Sequence, residues 1–122
     1  MRKSKENVVL LKGKVDDGEL KNIRKIIEGI LVEMGLVSVE LSVVFVNFLQ
    51  AKKLNEKYRN MDYVPQVLAF PISKKKDADR LIRLGDVVIC IDKWNEEVKV
   101  FKREKMEVLR EWIKHGIKNL LK

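Results

Sequence analysis

Apolar residues recur along this chain with two spacings, one typical of strands and one typical of helices. Short apolar and β-branched runs predict four strands, at residues 8–11, 40–46, 67–70 and 85–91. Apolar positions three and four residues apart predict helices at 19–34, 48–58, 94–100 and 102–122. The second strand is apolar along almost its whole length, which favours a position inside the sheet, covered on both faces.

Capping residues mark the expected helix ends. Asp16 or Asp17 can cap the first helix, and Gly35 is placed to end it in the left-handed conformation. Asn47 and Asp92 are predicted caps of the second and third helices. The order of elements predicts an α+β fold, with a small sheet packed against helices in one domain over residues 1–122.

Each long helix has one apolar stripe that should face the core. The predicted buried positions are Leu20, Ile23, Ile27, Ile30, Leu31 and Met34 on the first helix, Phe48, Ala51, Leu54 and Tyr58 on the second, and Met106, Leu109, Ile113, Ile117 and Leu120 on the last. On the second helix, Lys52, Lys53, Asn55 and Glu56 occupy the intervening polar positions.

The composition indicates which class of binding partner to expect. The 122 residues carry a net charge of +8, with a pI of about 9.6. Such an excess favours an anionic partner, nucleic acid before membrane, although an unspecific basic surface explains the charge equally well. No apolar run is long enough to span a bilayer, and the basic start has no signal-type apolar region, so we expect a cytoplasmic protein without membrane contact. The single cysteine, Cys90, is expected in the core.

Basic residues cluster at 2–5, 21–25, 74–76 and 102–105. The first cluster should form a frayed leader. Residues 73–83 break the apolar pattern and include Lys74, Lys75 and Lys76. This segment is either a solvated, mobile connection or a flexible arm that contacts RNA phosphates.

Five short motifs follow one another from about residue 40 to 121: VFVN at 44–47, YRNMD at 58–62, VLAFP at 67–71, LGDVVIC at 84–90 and HGIKNLL at 115–121. Together they resemble the YbeY family of ribosomal RNA maturation factors. The resemblance implies a YbeY-like mixed four-stranded sheet packed with helices, a zincin-like core. It also implies a metal-dependent endoribonuclease that acts on ribosomal RNA during maturation of the small ribosomal subunit.

Arg59 matches the arginine that the family uses in RNA handling, so it is the candidate catalytic and RNA-binding residue. A guanidinium group can hold a phosphate through two parallel hydrogen bonds. The alternative is an ordinary salt bridge with nearby Asp62. Around it the loop departs from the family at Pro65, Gln66 and Ala69, where polar groups are lost or the proline has moved.

His115 is the candidate metal ligand. Asn119 follows four residues later, so both side chains should share one helix face. In the family this pair is two histidines, and a third histidine after a Gly-Tyr-Asp turn completes a zinc site with one open position. Here Asn119 occupies the second position, and an amide oxygen is a poor zinc ligand beside imidazole. Asp86 also matches the family, and we expect it to make a hydrogen bond at the start of its strand.

Three functions compete at this point. The first is the metal-dependent endoribonuclease with a degenerate metal site, acting on ribosomal RNA and the small subunit. The second is a non-catalytic, RNA- or ribosome-binding descendant. The third is a metal hydrolase that acts on another substrate. This third function has the least support, because the positive charge and Arg59 both favour phosphates.

Overall fold

The computed structural model describes residues 5–122, so Arg2 and Lys3 of the expected leader lie outside it. The elements are β1 Val8–Lys12, α1 Asp17–Glu33, β2 Val39–Val46, α2 Phe48–Arg59, β3 Val67–Pro71, β4 Ile82–Cys90, α3 Ile91–Lys99 and α4 Lys105–Leu120. The predicted α+β class and the order of elements are confirmed.

The four strands form one mixed sheet in the order β1-β2-β4-β3. The β1–β2 and β2–β4 pairs are parallel, and the β3–β4 pair is antiparallel. The apolar second strand therefore lies inside the sheet, as its composition predicts. Parallel β2 and β4 both end at the same edge of the sheet, near Val46 and Cys90. The loops and helices that follow these strands meet at that edge, and the candidate site lies among them.

Side chains alternate between two faces of the sheet. One face packs against α1, α3 and α4 and forms the main core, which includes Leu41, Val43 and Phe45 of β2. The other face is covered in part by α2 and forms a small second cluster around Val46 and Cys90. Cys90 is buried as predicted, and burial raises the pKa of its thiol.

Two of the predicted caps are confirmed, and a third is wrong. Asp16 accepts a hydrogen bond from the Gly18 amide at 3.2 Å, and Asn47 forms a capping box with Gln50. Asp92, however, lies inside the first turn of α3. Its carboxylate accepts from the backbone amide of Phe48 at 2.7 Å, so it ties α3 to the start of α2 rather than capping its own helix.

The buried side of α2 differs from the predicted stripe. Ala51 and Asn55 are the buried residues of this helix, whereas Phe48 and Tyr58 are 49% and 57% exposed. Of the predicted stripe, Ala51 is buried and Leu54 is partly buried, whereas polar Asn55 is buried because its side chain bonds the loop that follows the helix. Tyr58 still contacts the sheet, with its ring edge-on to Phe70 at 5.2 Å between centroids.

The fourth strand begins at Ile82, three residues earlier than predicted. Asp86 therefore lies inside the strand, in register with Ser42, and the prediction of a strand-start position is wrong. Gly85 permits this longer strand because it has φ +134° and lies so close to the carbonyl oxygen of Phe70 that a Cβ would collide with it. The last helix is shorter than predicted, because Lys102 has φ +52° and α4 begins only at Lys105.

Helix α4 lies close against the sheet at Gly116. A Cβ at this position would stand 2.6 Å from Cγ1 of Val87, a fully buried residue of β4. A β-branched valine has little rotamer freedom with which to move aside. The absence of a side chain at Gly116 therefore sets the distance between α4 and the sheet, and with it the position of His115.

We predict that Gly116→Ala destabilises the protein by about 1–2 kcal/mol, because an overpacking cost of about 1–3 kcal/mol exceeds the helix-propensity gain of about 0.5–1 kcal/mol. Gly29→Ala is the matched control, since Gly29 lies within α1 and a Cβ there meets nothing within 4 Å. That variant should be more stable than the wild type. Urea denaturation measures both, and equal effects of the same sign would contradict this account.

Candidate functional site

A cleft of about 650 Å³ lies between the α2–β3 loop and α4, at the edge of the sheet where β2 and β4 end. The side chains that matter for its chemistry are Arg59, Tyr63, Lys93, Glu111, Trp112 and His115. The structure thus brings Arg59 and His115, two residues 56 positions apart in the chain, to the same opening.

Arg59 is the last residue of α2, and its side chain is exposed to the cleft. Its Nη1 atom lies 3.3 Å from Oδ1 of Asn55 and 3.3 Å from the hydroxyl of Tyr63. The alternative partner, Asp62, instead pairs with Lys52 at 3.5 Å. Among residues 5–122, no carboxylate lies within ion-pair distance of Arg59, so its charge is available to a ligand.

Asn55 is the residue that organises this side of the cleft. It is fully buried, and its Nδ2 donates to the backbone carbonyl of Tyr63 at 3.0 Å while its Oδ1 accepts from Arg59. One amide thus fixes both the loop and the guanidinium. Asn60 helps by ending α2 in the left-handed conformation, with φ +56°. The sequence interpretation placed Asn55 on the solvent side and missed this role.

His115 stands on the opposite wall, exposed on α4. Its Nε2 atom lies 3.3 Å from Nδ2 of Asn119, so the two side chains do share one helix face. Nε2 accepts from this amide NH₂ group only in the tautomer that carries its proton on Nδ1.

Carboxylates near the cleft are paired with a neighbouring arginine. Arg103 contacts Glu97 at 3.4 Å and also forms a salt bridge with Glu111. Glu97 further accepts a hydrogen bond from Gln66 at 3.3 Å. These contacts reduce the negative potential of the α3–α4 side, where Lys93, which lies 3.7 Å from Glu96, adds a second cation to the lining. No sequence signal singled out Lys93 or Tyr63.

The structure does not bring Lys74, Lys75 and Lys76 to this cleft. They are exposed and follow the far end of β3, whereas the cleft adjoins Val67 at its beginning. Their predicted RNA contact would therefore be a separate one.

The donor set of this cleft does not fit a three-histidine zinc site. The chain has one histidine, and within residues 5–122 no three histidine, cysteine, aspartate or glutamate side chains cluster as metal ligands would. His115 and Asn119 offer one imidazole and one amide.

Over residues 5–122, no helix is long and apolar enough to cross a membrane.

A family model described as endoribonuclease YbeY matches residues 11–121. This chain belongs to the endoribonuclease YbeY family. A protein of that name from Bacillus licheniformis is 30% identical over 117 residues, which cover 89% of this chain and 74% of the relative. The endoribonuclease YbeY of Aquifex aeolicus is 34% identical over 119 residues, covering 98% of this chain and 78% of the relative.

The fold of the family is also found among solved structures. The solution structure of TM1509 from Thermotoga maritima superimposes with a TM-score of 0.65 at 24% identity, covering 93% of this chain and 71% of that one. The YbeY-like fold implied by the five sequence motifs is therefore confirmed.

We predict that Asn55→Ala lowers the free energy of unfolding by about 1–3 kcal/mol, because it removes a buried amide that satisfies the Tyr63 carbonyl and Arg59. Asn95→Ala, on the exposed side of α3, is the matched control and should change stability by less than about 0.5 kcal/mol. Chemical denaturation measures both. An Asn55→Ala protein as stable as the wild type would show that this residue does not hold the loop.

Proposed function

We propose that this chain is a ribosomal RNA maturation factor of the YbeY type. It would act in the cytoplasm as an endoribonuclease that binds a strand of small-subunit ribosomal RNA in its cleft. Its relatives are named endoribonuclease YbeY. The observation that carries the proposal is Arg59, which lies in the cleft opposite His115 without a carboxylate partner among the described residues.

The geometry of Arg59 suits a phosphate. Its contacts with Asn55 and Tyr63 both involve Nη1. A guanidinium has five N–H donors, so the Nε and Nη2 donors remain for a ligand, and together they form the edge that binds two phosphate oxygens in parallel. Because Asn55 holds the group from behind, little side-chain entropy is lost when RNA binds.

Lys93 and the net charge of +8 extend the same attraction beyond one residue. Each phosphate that the protein neutralises releases condensed counterions, which favours binding at low salt. Exposed Tyr63 also offers a ring on which an unpaired base can stack. The cleft therefore combines a phosphate clamp with an aromatic surface, a combination typical of RNA-binding sites.

Zinc is the cofactor that the family resemblance implies, and a bound zinc ion would supply an activated water for hydrolysis. The residues of this chain support only weak, exchangeable binding through His115, because Asn119 replaces an imidazole. What the chain's own residues do is bind and orient the RNA.

The alternative is a non-catalytic RNA- or ribosome-binding descendant of the family. The observation that favours it is the same donor set, in which His115 is the single histidine. The two functions differ in one result, since both bind RNA and only the first cleaves it. Incubating the purified protein with small-subunit ribosomal RNA, with and without added Zn²⁺, distinguishes them.

We predict that Arg59→Ala weakens RNA binding by roughly ten- to a hundredfold, the equivalent of about 1.5–3 kcal/mol for hydrogen bonds to a charged group. Its melting temperature should stay close to that of the wild type, because the side chain is exposed and water can replace it as the donor to Oδ1 of Asn55. Fluorescence anisotropy with a small-subunit RNA fragment measures the affinity.

Two variants control this experiment. Arg110→Ala removes the same charge from a surface pair with Glu33 and should leave the affinity almost unchanged. Arg59→Lys keeps the charge without the planar fork and should give an intermediate affinity. Unaltered RNA binding by Arg59→Ala, combined with a large loss of stability, would show that Arg59 serves the fold and not RNA binding.

For the metal, we predict that the wild-type protein copurifies with little zinc and that Asn119→His raises its zinc affinity, since the new imidazole lies one turn from His115 on the same face. Isothermal titration calorimetry with Zn²⁺ measures the change. Adding His115→Ala to Asn119→His should abolish the gain. Stoichiometric zinc in the purified wild-type protein would contradict the prediction.

A further inference from the structure

The connection between β3 and β4 is an ordered hairpin rather than the mobile segment that its composition suggests. Backbone hydrogen bonds continue the pairing beyond the strands, from Ser73 to Arg83 at 3.2 Å and from Asp77 to Leu81 at 2.9 Å. An isolated bridge joins Lys76 to Ile82. The three lysines at 74–76 therefore project from a defined backbone.

Arg83 forms salt bridges with the acidic side chains of this region. It contacts Asp77 at 2.7 Å, Asp79 at 2.7 Å and Glu40 of β2 at 3.1 Å. The hydrogen bond from Arg83 lowers the pKa of Asp79 to about 2, so this carboxylate stays ionised and paired at neutral pH. Asp77 and Asp79 belong to the tip of the hairpin, residues 77–81, and Arg83 holds their carboxylates on the side that faces β2.

The lysines lie on the arm of the hairpin that follows β3, just before the tip. Lys74, Lys75 and Lys76 are exposed, and within residues 5–122 none of them forms a salt bridge. With five basic and two acidic residues, the segment 72–83 has a net charge of +3. Three neighbouring unpaired cations on one hairpin arm suit the evenly spaced charges of a nucleic-acid backbone better than a single small anion.

We propose that this hairpin, residues 72–83, is a second RNA-phosphate site that binds the strand beyond the part held in the cleft. The inference rests on the proposed function, since it assigns to the same RNA a second contact. The hairpin and the cleft lie at opposite ends of β3, which at about 3.3 Å per residue places them roughly 20 Å apart. That distance corresponds to about six stacked nucleotides at about 3.4 Å each, so only a longer RNA reaches both sites.

The test compares two single-stranded oligoadenylates, whose bases stay stacked, of about 4 and about 20 nucleotides, because at about 3.4 Å per nucleotide only the longer one spans the roughly 20 Å between the sites. The variant combines Lys74→Ala, Lys75→Ala and Lys76→Ala. We expect the long RNA to bind at least tenfold more weakly. The slope of log affinity against log salt concentration should also be smaller by about 2, because each of the three lost phosphate contacts on a single strand contributes about 0.7. Binding of the short RNA should stay within about twofold of the wild type.

Two further proteins separate a site from a general effect of charge. A variant combining Lys12→Ala, Lys14→Ala and Lys21→Ala removes the same charge from exposed positions near β1, the outermost strand on the side of the sheet opposite β3. It should bind the long RNA almost as the wild type does. Replacing residues 74–76 by arginine keeps the charge and should keep the affinity, while melting curves confirm that each variant is folded.

The outcomes are distinguishable from failure of the proposed function. If the long RNA binds the hairpin variant as tightly as the wild type, and Arg59→Ala still weakens binding of both RNAs, the hairpin inference is wrong and the cleft function stands. An equal loss for both RNA lengths, or for the β1-side control, would also overturn it, since the effect would then be one of net charge. If the wild type binds neither RNA, both proposals fail together.

Discussion

The close approach of α4 to the sheet is the packing constraint on which the candidate site depends. It is possible only because Gly116 has no side chain to collide with Val87. At that distance, Leu109, Ile113 and Ile117 of α4 become part of the main core. His115, next to Gly116 in the chain, is held on the wall of the cleft rather than away from it.

The opposite wall depends on a polar interaction instead of an apolar one. Asn55 is buried between α2 and the following loop, where its amide bonds both Tyr63 and Arg59. A buried amide with satisfied hydrogen bonds fixes direction more strictly than apolar packing does. The cleft thus has one wall set by packing and one set by hydrogen bonds. The cleft also contains a guanidinium that no described carboxylate neutralises, which is the electrostatic basis of the proposed RNA binding.

Local patterns predicted the strands, the inner position of β2 and the buried stripe of α4, because each depends on residues close together in sequence. The sequence could not show which side of α2 is buried, since the burial of Asn55 depends on its hydrogen bonds to Tyr63 and Arg59. Nor could it show that Asp92 bonds Phe48, a contact across 44 positions. The candidate site was found through motif resemblance at Arg59 and His115. Asn55 and Lys93 carry no motif, and only the tertiary contacts reveal them.

The central claim is that RNA binds in the cleft between Arg59 and His115. Because His115 is the only histidine of the chain, its imidazole proton gives an unambiguous NMR signal. Titrating the protein with a short RNA should shift this signal with a saturable curve whose dissociation constant matches that from anisotropy. The same titration of Arg59→Ala should need a much higher RNA concentration for the same shift. RNA binding that leaves the His115 signal unmoved would place the RNA elsewhere and contradict the account.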